Sequence, residues 1–231
     1  MNSISYFDTP ALMAKAAADL IVSLSADAIK KRGRFTIALS GGNTPAKLYA
    51  LLAQEPYRRS IDWKKVYFFW GDERCVRTDS NDNNSYNAKK ALLNHVPVPA
   101  ENIFPVPVDL SHAEAALQYA QTLNNFFKEP TPKFDLILLG MGDNGHTASL
   151  FPHTTILHET KAIVKDVYVE EVKMYRISFT ASLINHAAHI LFLIAGKDKA
   201  SILKTVLEGP FEPENYPAQI IKNADWYISR T

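Results

Sequence analysis

Phe134-Asp135-Leu136-Ile137-Leu138-Leu139, running straight into GMGDNGHTASLFP at residues 140–152, is the segment from which the architecture can be read. An apolar run of this length that ends on glycine predicts a strand covered on both faces, as in parallel sheets, opening into a loop made largely of backbone. That loop presents one imidazole, His146, at the carboxyl end of the strand. In open α/β sheets this edge is where ligands bind, so a histidine held there among glycines is a candidate base in a pocket.

The same alternation recurs on either side. Thr9-Pro10 predicts the N-cap and first-turn proline of a helix that reaches about Lys31 and stops at Gly33. Residues 35–39 predict a short apolar strand, Ser40-Gly41-Gly42-Asn43 a turn, and Thr44-Pro45 the opening of a helix over 46–53. A second strand is expected over 65–70, a polar loop over 78–84 and a helix over 86–93. Ser111-His112-Ala113-Glu114 has capping-box spacing and predicts a helix to about Phe127. Strands near 163–167, 175–180 and 189–195 follow the central one, then a helix over 199–207. Strands alternating with helices imply an α/β fold, a mostly parallel twisted sheet with helices on both faces. No repeat, low-complexity segment or long linker interrupts the chain, so residues 1–231 are expected to form a single α/β domain.

A chain of 231 residues can bury a sizeable core, and 47% hydrophobic with 21% charged residues is ordinary for a soluble globular protein. A formal net charge of +1 gives no bulk electrostatic basis for nucleic-acid or membrane binding. The first residues lack the basic-then-apolar order of a signal peptide, and no apolar run is long enough to span a bilayer. A cytoplasmic protein with no nucleic-acid or membrane partner is the expectation. Cys75, the single cysteine, has no partner for a disulfide and is read as packing. None of the seven histidines falls in a metal-binding pattern, so no metal is expected.

Three further stretches carry candidate chemistry. In Ser40-Gly41-Gly42-Asn43-Thr44-Pro45, glycines let backbone approach an anion, and the helix that follows offers free N–H groups and a favourable dipole. The plain alternative is a strand-to-helix turn capped by Thr44. The spacing is neither GxGxxG nor a Walker loop, so no dinucleotide or ATP is suggested. Asp72-Glu73-Arg74 follows a strand and matters for function only if it converges on the His146 loop, as the parallel sheet predicts; Arg74 then offers a planar fork suited to phosphate or a developing oxyanion. Arg176 and Lys199, taken alone, read as surface charges.

Taken together, GMGDNGHTASLFP, SGGNTP (residues 40–45) and GDERCV (residues 71–76) resemble, in the same order, motifs of the 6-phosphogluconolactonase family, within a wider sugar-phosphate group that includes glucosamine-6-phosphate deaminases. The similarity runs from about Phe35 to the tryptophan near the end. It implies a Rossmann-like fold, no organic cofactor, and hydrolysis of 6-phospho-D-glucono-1,5-lactone, with a small-molecule phosphosugar lactone as the partner. It further implies phosphate at Ser40, Gly41, Gly42, Thr44 and Lys199, substrate contacts at Arg176 and Asp72, a base at His146 and oxyanion stabilisation at Arg74. The deaminase alternative fits less well: similar deaminase chains carry an aromatic residue where Arg74 stands and a proton-handling glutamate where Phe151 stands. A non-catalytic sugar-phosphate sensor is the other alternative, although it need not have kept His146 and Arg74. Departures from the family pattern are Asn144 for the aspartate two residues before the histidine, Arg77 for a proline, and the order Asn84-Ser85-Tyr86. A monomer or small homo-oligomer is expected.

Overall fold

A computed structural model of the chain describes residues 3–129 and 131–231. The principal sheet has six strands, all parallel: β1 (Ile4–Phe7), β2 (Phe35–Leu39), β3 (Val66–Trp70), β5 (Leu136–Leu139), β8 (Ile190–Ala195) and β9 (Asp225–Ser229), in spatial order β1-β9-β8-β5-β2-β3. The second has three antiparallel strands, β4 (Asp72–Arg74), β7 (Met174–Phe179) and β6 (Val164–Val169). The helices are α1 (Pro10–Arg32), α2 (Asn43–Leu52), α3 (Tyr57–Ser60), α4 (Asn84–Ala88), α5 (His112–Phe127), α6 (Ala181–Asn185) and α7 (Ala200–Glu208).

Local signals account for most boundaries. Thr9 caps α1 by accepting from Leu12 N, and Gly33 ends it in the left-handed conformation. Ser111 and Glu114 form the complete capping box of α5. Strands β2 and β5 are buried along their whole length, as the apolar runs predict. The one charge flanking β5, Asp135, is nearly buried; its carboxylate accepts from Thr36 N at 2.8 Å and Thr36 Oγ1 at 2.9 Å and pairs with Arg32. That clamp sets the register between the neighbouring strands β2 and β5.

Two expectations change. The segments near 163–167 and 175–180 do not join the parallel sheet; they are β6 and β7, antiparallel partners joined by a single turn at Glu170–Val172. A parallel connection needs a crossover of a dozen or more residues, and this turn is far too short for one. Thr44 does not cap α2 either. The helix begins at Asn43 with Gly42 as N-cap, and no side chain caps it. The helix expected over 86–93 is α4, which widens into a π-turn at Lys89–Leu93.

Strand β3 leaves the parallel sheet at Gly71, whose carbonyl accepts from Phe179 N at 2.8 Å, and continues directly as β4. Alternation along β4 then splits its three charges. Asp72 and Arg74 face one side, while Glu73 turns to the other and is fully buried. There its carboxylate accepts from Arg74 N at 2.9 Å, Asn84 N at 2.7 Å and Ser85 N at 2.9 Å, tying β4 to the start of α4. Burial pushes its pKa up to about 7 against those three N–H donors. Glu73→Ala would leave three buried amides without an acceptor. Chemical denaturation is expected to show a loss of about 3 kcal/mol or more, since each orphaned group costs about 1–3 kcal/mol.

Candidate functional site

The strand order reverses direction between β5 and β2: from β2 the chain moves outward to β3, whereas from β5 it moves the opposite way to β8. The crevice at the carboxyl ends of β2 and β5 is therefore a topological switch point, where open α/β sheets hold ligands. A cleft of about 360 Å³ lies there. Every residue to which the family resemblance assigns a role lines it: Ser40, Gly41, Gly42, Thr44, Asp72, Arg74, His146, Arg176 and Lys199.

One wall is the β2–α2 turn. The Tyr49 hydroxyl accepts from Ser40 N at 3.0 Å and donates to Ser40 O at 2.7 Å, pinning the end of the strand. Gly42, at φ +103°, is in a conformation that side chains resist, so glycine is required for the chain to swing into α2. With no capping side chain, the N–H groups of Asn43 and Thr44 at the start of α2 have no carbonyl a turn earlier to bond, and both residues line the cleft. This is the backbone arrangement that holds an anion. Lys199 reaches the same cleft from the short turn Lys197–Lys199 before α7. Its ammonium pairs with Asp143 of the His146 loop, and burial holds its pKa below the ordinary lysine value.

The second wall comes from the antiparallel sheet. Arg74 and Arg176 are direct cross-strand partners, so two guanidinium groups stand side by side on one face. Like charges in that relation repel. Asp72 offsets them in part: it pairs with Arg176 at 3.8 Å and accepts from Ser149 Oγ at 2.7 Å. Burial holds the Arg176 pKa down, opposed by Asp72. Arg74 donates through Nη1 to Asp82 O at 2.7 Å, yet the buried Nε of each arginine has no partner among the described residues. Buried donors without partners beside an open cleft are suited to a ligand's oxygens.

His146 closes the third side. Its loop is self-braced: Gly142 N donates to His146 O at 2.9 Å, Gly145 N to Gly142 O at 3.1 Å, and Thr147 Oγ1 to Gly140 O at 2.8 Å. Gly142 must be glycine because a Cβ there would overlap the imidazole. The ring stacks on Phe151 at 3.8 Å between centroids, and its Nδ1 lies 2.6 Å from Asn144 Oδ1. An amide oxygen only accepts, so Nδ1 carries the proton and Nε2 keeps its lone pair. Burial lowers the imidazole pKa to about 4, with Asp72 pulling the other way and Arg176 pushing further down. The ring is therefore neutral at physiological pH, the state a base requires.

Several contributors were not singled out from the sequence. Ser149, Ser178 and Asn84 hold the walls together, with Ser178 Oγ accepting from Ser149 N at 3.1 Å and Asn84 Nδ2 donating to Asp72 O at 2.9 Å. Glu171 bonds Asn144 from the β6–β7 turn. Only the Asn144 departure hinted that the imidazole was held differently. Asp143, the carboxylate next to Asn144, pairs with Lys199. Cys75 is half-buried, with its thiol pushed up to about 11 by burial. Among the described residues no group of three or more His, Cys, Asp or Glu side chains is placed to hold a metal, and no helix is long and apolar enough to cross a membrane.

Comparison with known proteins agrees with this geometry. A family model for glucosamine-6-phosphate isomerases/6-phosphogluconolactonase matches residues 8–228. A 6-phosphogluconolactonase of Nostoc sp. is 41% identical over 93% of this chain and 88% of its own length. One from Synechocystis sp. is 43% identical over 84% of this chain and 80% of its own. The solved 6-phosphogluconolactonase from Trypanosoma cruzi superposes with a TM-score of 0.87 at 26% identity, covering 100% of this chain and 95% of the other. With its three motifs gathered around one cleft, the chain belongs to the glucosamine-6-phosphate isomerase/6-phosphogluconolactonase family.

Proposed function

We propose that the protein hydrolyses 6-phospho-D-glucono-1,5-lactone to 6-phospho-D-gluconate, a step of the oxidative pentose phosphate pathway, as a single domain acting in the cytoplasm as a monomer or small homo-oligomer. The observation that carries the reading is the buried, neutral imidazole of His146 sharing one cleft with the Arg74–Arg176 pair and the uncapped start of α2.

The substrate phosphate sits against Ser40, Gly41, Gly42 and Thr44, where α2 supplies N–H groups and its dipole, and Lys199 adds a full charge. Arg176 and Asp72 contact the sugar hydroxyls or the phosphate. The ring then places C1 toward His146. Nε2 takes a proton from water as the water oxygen bonds to C1, and Arg74 stabilises the carbonyl oxygen as it becomes negative. The tetrahedral intermediate collapses by breaking the bond between C1 and the ring oxygen, which receives the proton back from the imidazolium. Phe151 packs on the ring and cannot transfer a proton, which suits one base and one oxyanion donor better than the several transfers of a deaminating isomerisation.

His146→Ala is expected to lower kcat by roughly 10²–10⁴ with KM little changed, measured on freshly generated lactone with spontaneous hydrolysis subtracted. Glucosamine 6-phosphate should release no ammonia. Arg74→Ala should cost mainly kcat, by roughly 10²–10³, as for loss of an oxyanion donor. Lys199→Ala should instead raise KM with kcat nearly kept. Because burial lowers the His146 pKa to about 4, kcat should hold as pH falls through 6.5 and be lost only nearer the lower value. The same shift gives a stability signature. The unfolded imidazole takes up its proton near 6.5 and the folded one only near 4, so this contribution is complete above 6.5 and lost as pH falls toward 4. A His146→Ala variant should therefore lose less stability than wild type across that interval. An imidazole midpoint near 6.5 by proton NMR would remove the burial argument.

A further inference from the structure

Asn144 is held in one orientation from both ends. Its Oδ1 accepts from His146 N at 3.1 Å and faces His146 Nδ1 at 2.6 Å. Its Nδ2 donates to both oxygens of Glu171, at 3.1 and 3.0 Å. An isolated side-chain amide can sit either way round. Here a main-chain N–H demands oxygen on one side and an acceptor-only carboxylate demands nitrogen on the other. The result is a continuous chain, Glu171 carboxylate to Asn144 amide to imidazole, which links the β6–β7 turn of the antiparallel sheet to the base at the end of β5.

An amide alone orients an imidazole but brings no charge to stabilise the imidazolium formed when water is deprotonated. Hydrogen bonds in series polarise one another, so a carboxylate at the far end makes the intervening oxygen a stronger acceptor. We propose that Glu171 is a positioning residue for the base, fixing the Asn144 amide and supplying through it the negative charge that stabilises the imidazolium. This rests on His146 being the base. The other charges around the ring are Asp72 and Arg74 of β4 and Arg176 of β7, all within the cleft. Glu171 differs in acting along the Nδ1 side and in being exposed, outside the lining of the cleft.

The test compares wild type with Glu171→Ala, Glu171→Gln, Asn144→Asp, Asn144→Asp/Glu171→Ala and His146→Ala, reading kcat, KM and the pH dependence of kcat on the lactone at low salt. Glu171→Ala should lower kcat roughly tenfold, the scale of one charge-assisted hydrogen bond, with KM within about twofold and the acid limb moved to lower pH. Glu171→Gln should recover part of kcat, since its amide oxygen can still accept from Asn144, while the acid limb stays shifted. With an aspartate at 144 the carboxylate meets the ring directly, so removing Glu171 there should cost no more than about twofold. The inference is overturned if His146→Ala is inactive while Glu171→Ala matches wild type in kcat and acid limb. It is equally overturned if Glu171→Ala costs the same in the Asn144→Asp background, which would mark a merely structural contact. Retained turnover in His146→Ala would instead sink the assignment of the base, and the Glu171 inference with it.

Discussion

The site depends on the Asp72 carboxylate more than on any other group. It is nearly buried at the point where the chain leaves the parallel sheet, and it accepts from Ser149 of the histidine loop while pairing with Arg176 of β7. Its own carbonyl holds Asn84 of α4, so the histidine loop, β7 and α4 meet at one residue. A buried carboxylate is tolerated only when its partners are in place. The walls cannot relax independently without exposing that charge, and this fixes the distance between the guanidinium pair and the imidazole. Glu73, one position on and on the opposite face, does the same for the backbone beneath.

Electrostatically the cleft is incomplete without an anion. Arg74 and Arg176 face each other with Asp72 offsetting part of their repulsion, and each keeps a buried Nε–H without a partner among the described residues. The uncapped start of α2 adds partial positive charge from another direction. This excess also explains how burial and charge cooperate at His146. Nearby guanidinium groups oppose its protonation as burial does, so the ring stays neutral at physiological pH. Asp72 and Glu171 pull the other way, one from within the cleft and one from the Nδ1 side.

Much of this was legible in the chain because its causes are local. The cap at Thr9, the stop at Gly33 and the box at Ser111–Glu114 involve residues within one turn of each other. The apolar runs at β2 and β5 announce burial on both faces. The three motifs converge because parallel strands bring their carboxyl ends to one edge. What escaped is what depends on distant partners. Strands β1 and β9 carry mixed patterns and form only against each other and β8. Asp72-Glu73-Arg74 does not read as a strand until β7 lies beside it. The Asn144 substitution was visible, but its partner Glu171 is 27 residues away in a turn whose position follows from the second sheet.

The pairing of β1 has a consequence for how the molecule is assembled. Among the described residues its only strand neighbour is β9, with Ile4 opposite Trp226 and Phe7 opposite Ser229. During synthesis β1 therefore emerges long before the strand it pairs with, and it must wait until β9 has been made. Contacts of such high sequence separation form late, because the loop they close is costly. The edge of the sheet at β1 should thus be the last to zip, after the β2–β5 pair and its switch-point crevice already exist, so the ligand-binding geometry would mature before the fold's own seam is sealed.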